Sequence, residues 1–298
     1  HVVWFGGEPL LGIKQIESLY RKMILIPDKN YSFSIISNGF LISPDIIKLF
    51  MEMKLQHIQI TLDGLKETHN KIKFTKNEND TFSRTIKNID LLASSAPEIR
   101  ISIRVNMNKE NSSEFITLYS FILQRYKSNP LIGIYPAFIT STSSKSSSSC
   151  SLLFNRQEKS EFIQQLYYDR GIVTNLCGYP DSSFTECSIR NKHTFTIDPE
   201  GYLYKCWEII GDQKYAIAKL DSEGTIQSID QKILNRYLYA ADPLEDKTCS
   251  KCPYLPICFG GCPHKRIENI FKDKHYDTCT YLKDSLKEFI KIHLSQNS

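Results

Sequence analysis

Five short apolar runs alternate with amphipathic helical patterns through the first 139 residues. The runs are "HVVWF" (1–5), "YSFSIIS" (31–37), "HIQITL" (57–62), "RISIRVN" (100–106) and "LIGIYPAFI" (131–139). The helical patterns between them span 13–24, 43–54, 82–94 and 113–126. No other feature restricts the fold as strongly. Strands separated by helices of this length cannot close as hairpins, so they are expected to lie parallel and be joined by right-handed crossovers. Five such strands make part of a barrel or of an open α/β sheet. Ser43 followed by Pro44 supplies one helix with an N-cap and a first-turn proline.

After residue 139 the pattern changes. "STSSKSSSSCS" (141–151) is a low-complexity loop, and Cys150 inside it reads as an incidental thiol. A helix is expected over 156–171. "HTFTIDPEGYLYKCWE" (193–208) then reads as a β-hairpin turning at "DPEG". A closing helix is expected over 280–294. The boundary near residue 172 defines an N-terminal domain, 1–171, and a C-terminal one, 172–298.

Charge and hydropathy exclude several classes. Lys and Arg outnumber Asp and Glu by only 37 to 33, a dispersed surplus that gives no nucleic-acid footprint. No apolar stretch approaches the roughly 20 residues of a membrane span. No charged-then-apolar leader precedes the first strand, and the expected location is the cytoplasm.

All nine cysteines lie in the second half, at 150, 177, 187, 206, 249, 252, 258, 262 and 279. Cys187 and Cys206 bracket Gly201. "CSKCPYLPICFGGC" is C-x2-C-x5-C-x3-C through Cys249, Cys252, Cys258 and Cys262, and Cys279 follows. Thiolates are soft ligands that suit iron–sulfur clusters and zinc alike. These seven are too many for one tetrahedral ion and suit two sites. Two clusters and two structural zinc ions both satisfy that count.

Those seven positions, in order and spacing, resemble the SPASM domain that follows the catalytic domain of radical S-adenosylmethionine (SAM) enzymes. The resemblance implies two auxiliary [4Fe–4S] clusters. Cys187, Cys206 and Cys262 would hold the first, with Cys177 as a candidate fourth ligand. Cys249, Cys252, Cys258 and Cys279 would hold the second. The α/β half resembles the same enzymes motif by motif. "GGEP" (Gly6, Gly7, Glu8, Pro9) is similar to their seat for the SAM amino group. "SNG" places Ser37 and Asn38 at the next strand end. "TLDG" offers Thr61 and Asp63 for ribose or substrate, and "IRVN" offers Arg104 for the SAM carboxylate with Asn106 beside it. Alternative readings stay open for several of these. Gly6-Gly7 and Asp63-Gly64 are also turn sequences, Arg104 is also an outward residue of an alternating strand, and His69 reads as a surface helix residue.

The implied fold is a partial (β/α)6 barrel lacking its first strand, followed by a small cysteine-rich α+β domain. No cysteine occurs in residues 1–149, so the C-x3-C-x2-C motif of the third, SAM-binding cluster is expected on sequence upstream of His1, and the chain alone is expected to be inactive. The implied function is peptide maturation in an anaerobic cytoplasm, with thioether or other crosslink formation. The partners would be a peptide or protein substrate and a reductase, flavodoxin or ferredoxin electron donor. Sulfatase maturation is the alternative, as is a non-catalytic cluster- or zinc-bearing scaffold. Sulfatase maturases resemble one another in an aspartate after the cysteine aligned with Cys206. Trp207 and Glu208 stand there instead, which leaves Glu208, with Asp63, as a candidate catalytic carboxylate.

Overall fold

The strands form where β-branched runs were expected. They are β1 (Val2–Trp4), β2 (Phe33–Ser37), β3 (His57–Thr61), β4 (Arg100–Met107) and β5 (Ile132–Phe138). All pairings are parallel and the order is β1-β2-β3-β4-β5, with β1 and β5 at the two edges. Between them run α1 (Ile13–Met23), α2 (Pro44–Glu52), α3 (Lys66–Ile72), α4 (Thr81–Ser95) and α5 (Phe115–Arg125). Ser43 caps α2 by accepting from the Ile46 amide, with Pro44 in the first turn. This is a computed structural model that describes residues 1–75, 79–140, 150–173 and 187–296. Most of the serine-rich loop and all of the Cys177 segment lie outside the described residues.

The register sorts the sheet into two chemically distinct faces. Ile35, Ile58, Ile101 and Ile132 pair across strands, as do Ser37, Ile60, Ile103 and Ile134. These side chains are buried, and Tyr20 of α1 meets Phe33 edge-on at 5.6 Å on the same face. The opposite face carries His57, Gln59, Thr61, Ser102, Arg104, Asn106 and Tyr135, mostly half-buried. They bond across strands: His57 with Ser102 at 2.8 Å, and the Tyr135 hydroxyl to Gln59 at 2.6 Å. A purely structural parallel sheet is apolar on both faces. A polar inner face instead suits a barrel that holds a polar ligand.

α3 is the helix on which His69 was placed, although "KETHNKI" has little apolar periodicity and did not stand among the helical patterns. Tertiary contacts supply what propensity lacks. Glu114, just before α5, accepts from the Leu65 amide at 2.7 Å and the Thr68 hydroxyl at 2.5 Å, closing the start of the helix.

The chain divides into two compact units. The second takes α6 (Arg156–Arg170) up to Tyr168 together with the cysteine-rich segment. α6 bonds to that segment through Arg156 to Asp284 at 3.2 Å and Tyr168 to Glu288 at 3.1 Å. The expected hairpin is β6 (Thr196–Ile197) and β7 (Tyr202–Tyr204), antiparallel, and β8 (Ala218–Leu220) and β9 (Ile226–Ile229) extend it to four strands. Asp198 makes the turn by accepting the Glu200 and Tyr202 amides. The remaining helices are α7 (Gln231–Asn235), α8 (Leu255–Cys258), α9 (Pro263–Lys272) and α10 (Leu286–Gln296). The closing helix thus starts six residues later than its apolar pattern. Asp284, left-handed at φ 71°, ends the turns that precede it.

Candidate functional site

In a parallel sheet every strand ends at the same edge, so the four motif segments of the N-terminal unit share one rim. Gly6 and Gly7 follow β1 on exposed backbone, with no atom within 4 Å of where either Cβ would stand. Space for a ligand's backbone contacts is therefore present. Glu8 begins the turn Pro9–Gly12. Its Oε1 accepts from the Leu10 amide at 3.0 Å and the Ser37 hydroxyl at 2.8 Å, and its Oε2 accepts from the Asn38 amide at 2.8 Å. Ser37 also accepts from the Gly39 amide. Ser37 and the Asn38 backbone thus brace the rim, and about one of the four acceptor positions of Glu8 remains open, on Oε2.

The next two strand ends form one network. Asn106 donates to Asp63 Oδ1 at 3.0 Å and accepts from Arg104 Nε at 2.9 Å. Lys73 stands 3.5 Å from Asp63 Oδ2, and Asn111 donates to the backbone oxygens of Asp63 and Asn106. Asp63 is 4% exposed and held on both oxygens, which makes it an anchor of this rim. Among the described residues no carboxylate pairs with the Arg104 guanidinium. A half-buried cation without an anion, aligned by Asn106, suits a ligand carboxylate. Thr61 lies beside Arg104 in the β3–β4 register.

His69 corrects the sequence expectation. It is 2% exposed, edge-on to Phe82 at 5.8 Å, with Nδ1 accepting from the Asp63 amide. That bond fixes the proton on Nε2. Burial pushes its pKa down to about 4, partly opposed by Asp63 and assisted by Lys73. His69 is a neutral brace for the Asp63 turn.

In the C-terminal unit the seven described thiols carry no disulfide. Cys206 feels the charges of Cys187 and Cys262, and Glu208 acts on both Cys206 and Cys262. Burial pushes the Cys206 thiol up to about 12 and raises Cys262, so a metal centre would have to displace those protons. The buried Lys205 ammonium, pushed down to about 8 by desolvation, donates to the Asn191 and Thr194 carbonyls at 2.6 Å each. It ties the segment after Cys187 to the strand that ends at Cys206. Trp207 and Glu208 are exposed on the turn that follows.

Tight backbone turns surround the remaining four cysteines. Asp246 accepts the Thr248 and Cys249 amides, and the Cys252 amide returns to the Cys249 carbonyl, making the tight C-x2-C turn. After Cys258 the chain takes three successive left-handed residues, Phe259, Gly260 and Gly261. A Cβ on Gly261 would stand 1.8 Å from the Thr278 carbonyl oxygen, so this crossing lays Cys258–Cys262 against the irregular segment that precedes Cys279. Asn269 of α9 secures that segment by a reciprocal pair of bonds to Tyr276. Among the described residues no three Cys, His, Asp or Glu side chains close into a finished metal site. The Gly261 crossing brings the Cys258–Cys262 backbone to the segment before Cys279, and the type and order of the thiols suit cluster ligation. Cys177, the candidate fourth ligand of the first set, lies outside the described residues.

The chain thus consists of an α/β unit with its motif residues at the strand ends and a cysteine-rich unit. Residues 1–122 match the family model of the Radical SAM superfamily. The chain is 25% identical over 297 residues to the cysteine-type anaerobic sulfatase-maturating enzyme of Clostridium novyi (strain NT), spanning 89% of this chain and 73% of that protein. It is 24% identical over 121 residues to the Fe-coproporphyrin III synthase of Methanosarcina barkeri (strain Fusaro / DSM 804), 41% of this chain and 28% of that one. Native anSMEcpe, solved with bound AdoMet and the Cp18Cys peptide, superposes with a TM-score of 0.67 at 20% identity, over 99% of this chain and 83% of that one. That likeness confirms the fold along the chain.

Sequence reasoning named candidate rim residues and thiols but not the residues that brace them. Lys205, Arg266, Asn111 and Glu114 have no spacing signature. Only the "GG" before Cys262 signalled a close backbone crossing.

Proposed function

We propose that this chain provides the SAM-binding rim and the auxiliary-cluster unit of a radical SAM enzyme that modifies a peptide or protein side chain. The observation that carries it is the Arg104 guanidinium, which pairs with no carboxylate among the described residues and is held by Asn106 on the rim where Gly6 and Gly7 leave open backbone. A zwitterionic amino-acid ligand needs that pairing of cation and carbonyl-rich turn. When bound to a reduced cluster, SAM supplies a 5′-deoxyadenosyl radical that removes a hydrogen atom from the substrate. The residues of this chain bind and orient. Gly6, Gly7 and the free acceptor of Glu8 receive the amino group, Arg104 receives the carboxylate, and Asp63 and Asn106 hold Arg104 in line. Cys187, Cys206 and Cys262, with Cys177, hold one auxiliary cluster; Cys249, Cys252, Cys258 and Cys279 hold the other.

Crosslink formation in a ribosomal peptide is the first substrate reading, because Trp207 replaces the aspartate expected of a sulfatase maturase. Oxidation of a sulfatase cysteine to formylglycine is the second, favoured by the likeness to the Clostridium novyi enzyme along most of this chain. Anaerobic turnover with a cysteine-containing sulfatase peptide, followed by hydrazide capture, separates them. A captured aldehyde selects the second reading. Loss of two hydrogens with no aldehyde, on a peptide encoded beside the gene, selects the first. Stoichiometric zinc without a band near 400 nm, which is where about eight irons per chain should absorb, would refute both. No helix among the described residues is long and apolar enough to cross a membrane.

A further inference from the structure

Arg266 lies on α9, four residues after Cys262, and is 5% exposed. Its Nε donates to the Ala241 carbonyl at 3.2 Å and its Nη2 stands 3.2 Å from Asp246. Its Nη1 donates to Cys249 Sγ at 3.3 Å. A buried guanidinium costs desolvation that one carboxylate, itself 41% exposed, offsets only in part. A sulfur is a poor acceptor when it is a neutral thiol and a good one when it is an anionic ligand. The fork is thus built for a thiolate. A second cation beside a ligand of this set, Lys283, stands 3.8 Å from Cys279 Sγ.

The geometry points to Arg266 as the residue that sets the reduction potential of the second auxiliary cluster, by a fixed charge-assisted hydrogen bond to its ligand Cys249. This rests on the reading that Cys249, Cys252, Cys258 and Cys279 hold a [4Fe–4S] cluster. When the cluster takes one electron from an external reductant, the cluster and its four thiolates gain one negative charge. A buried N–H donor and positive charge at the sulfur favour that reduced form and raise the potential. The exposed Asp246 carboxylate is screened by water, so it offsets the effect without cancelling it. Arg266 therefore makes this cluster the better electron acceptor than it would be with a neutral residue in place. Such an acceptor is what a substrate radical must hand its electron to in an oxidative maturation.

The test is a mediated redox titration of the reconstituted chain by EPR, in a Cys206→Ala background that leaves only the second cluster. Arg266→Met should make reduction at least tenfold less favourable, about 59 mV lower for a one-electron couple. Arg266→Lys, which keeps the charge, should recover part of the loss. Iron content is read alongside, so a lost cluster is not mistaken for a shifted one. Should Arg266→Met bind no cluster, wild-type chain labelled with 15N in the arginine guanidinium carries the test. Pulsed EPR should then show a 15N coupling to the reduced cluster, absent in Arg266→Lys. An unchanged potential in an iron-replete Arg266→Met, or no 15N coupling in the wild type, overturns the proposal. Zinc, or no cluster, in the Cys206→Ala chain overturns the ligand reading itself and is recognised by metal analysis before any potential is measured.

Discussion

Gly261→Ala tests the cluster geometry through one methyl group. The residue is left-handed at φ 71°, which costs an alanine roughly 1–2 kcal/mol. The added Cβ would also stand 1.8 Å from the Thr278 carbonyl oxygen, where real contacts do not fall below 3.0 Å. The Thr278 segment must then retreat by about 1.2 Å, and Cys279 is its next residue. Metal–ligand distances tolerate about 0.2 Å, so the displacement exceeds the tolerance several-fold. The variant should fold, because the strain is a few kcal/mol at most against a typical stability of about 5–15 kcal/mol. After anaerobic reconstitution it should hold about four irons rather than about eight. Gly224→Ala is the control: its φ is 77°, but no atom lies within 4 Å of the added Cβ. It should lose only the left-handed backbone part of that stability, roughly 1–2 kcal/mol, and keep all its iron. Full iron in Gly261→Ala with an unaltered second-cluster EPR signal would refute the assignment of Cys279 to that set.

His69 gives the fold a pH dependence of definite sign. Its pKa falls from 6.5 unfolded to about 4 folded, so its contribution is fully present above 6.5 and disappears as pH drops through 4. At about 1.36 kcal/mol per unit this is about 3 kcal/mol, read as urea-midpoint stability of the wild type against His69→Gln between pH 7 and 4. Arg104→Ala should weaken SAM binding by roughly ten- to a hundredfold, the range of a charge-assisted bond, in equilibrium dialysis, whereas Ser102→Ala on the same face should not. Lys205→Met should detach the Asn191–Thr194 carbonyls and lower iron occupancy of the first cluster, with the second retained in EPR.

The fold was legible where one physical rule dominated. The five strands and α1, α2, α4 and α5 fall within a few residues of their apolar patterns, since periodicity alone decides them. α3 gave no apolar period, because Glu114, 49 residues from Leu65, supplies its cap, and no local pattern encodes a cap from a distant loop. α9 was hidden for the opposite reason: its ten residues follow directly on the Gly-Gly-Cys turn, where cysteine spacing masked the helical period. His69 was misjudged because a histidine on a short polar helix looks solvated, and only the packing of Phe82 and the Asp63 turn shows otherwise.

The candidate site divides along the same line. Motif residues are readable because chemistry restricts their type and order, yet their jobs differ from what type alone implies. Glu8 is the clearest case. A glutamate in "GGEP" invites assignment to the SAM amino group, but three of its bonds go to Leu10, Ser37 and Asn38. The carboxylate first joins the ends of β1 and β2, and only then offers what acceptor capacity remains. Glu8→Gln therefore removes two things at once: a charge facing the ligand, and an acceptor for one of its three donors. Stability and SAM affinity should fall together in that variant, whereas Arg104→Ala should lower affinity alone. That split, and not either loss by itself, separates a residue that builds the rim from one that reads the ligand.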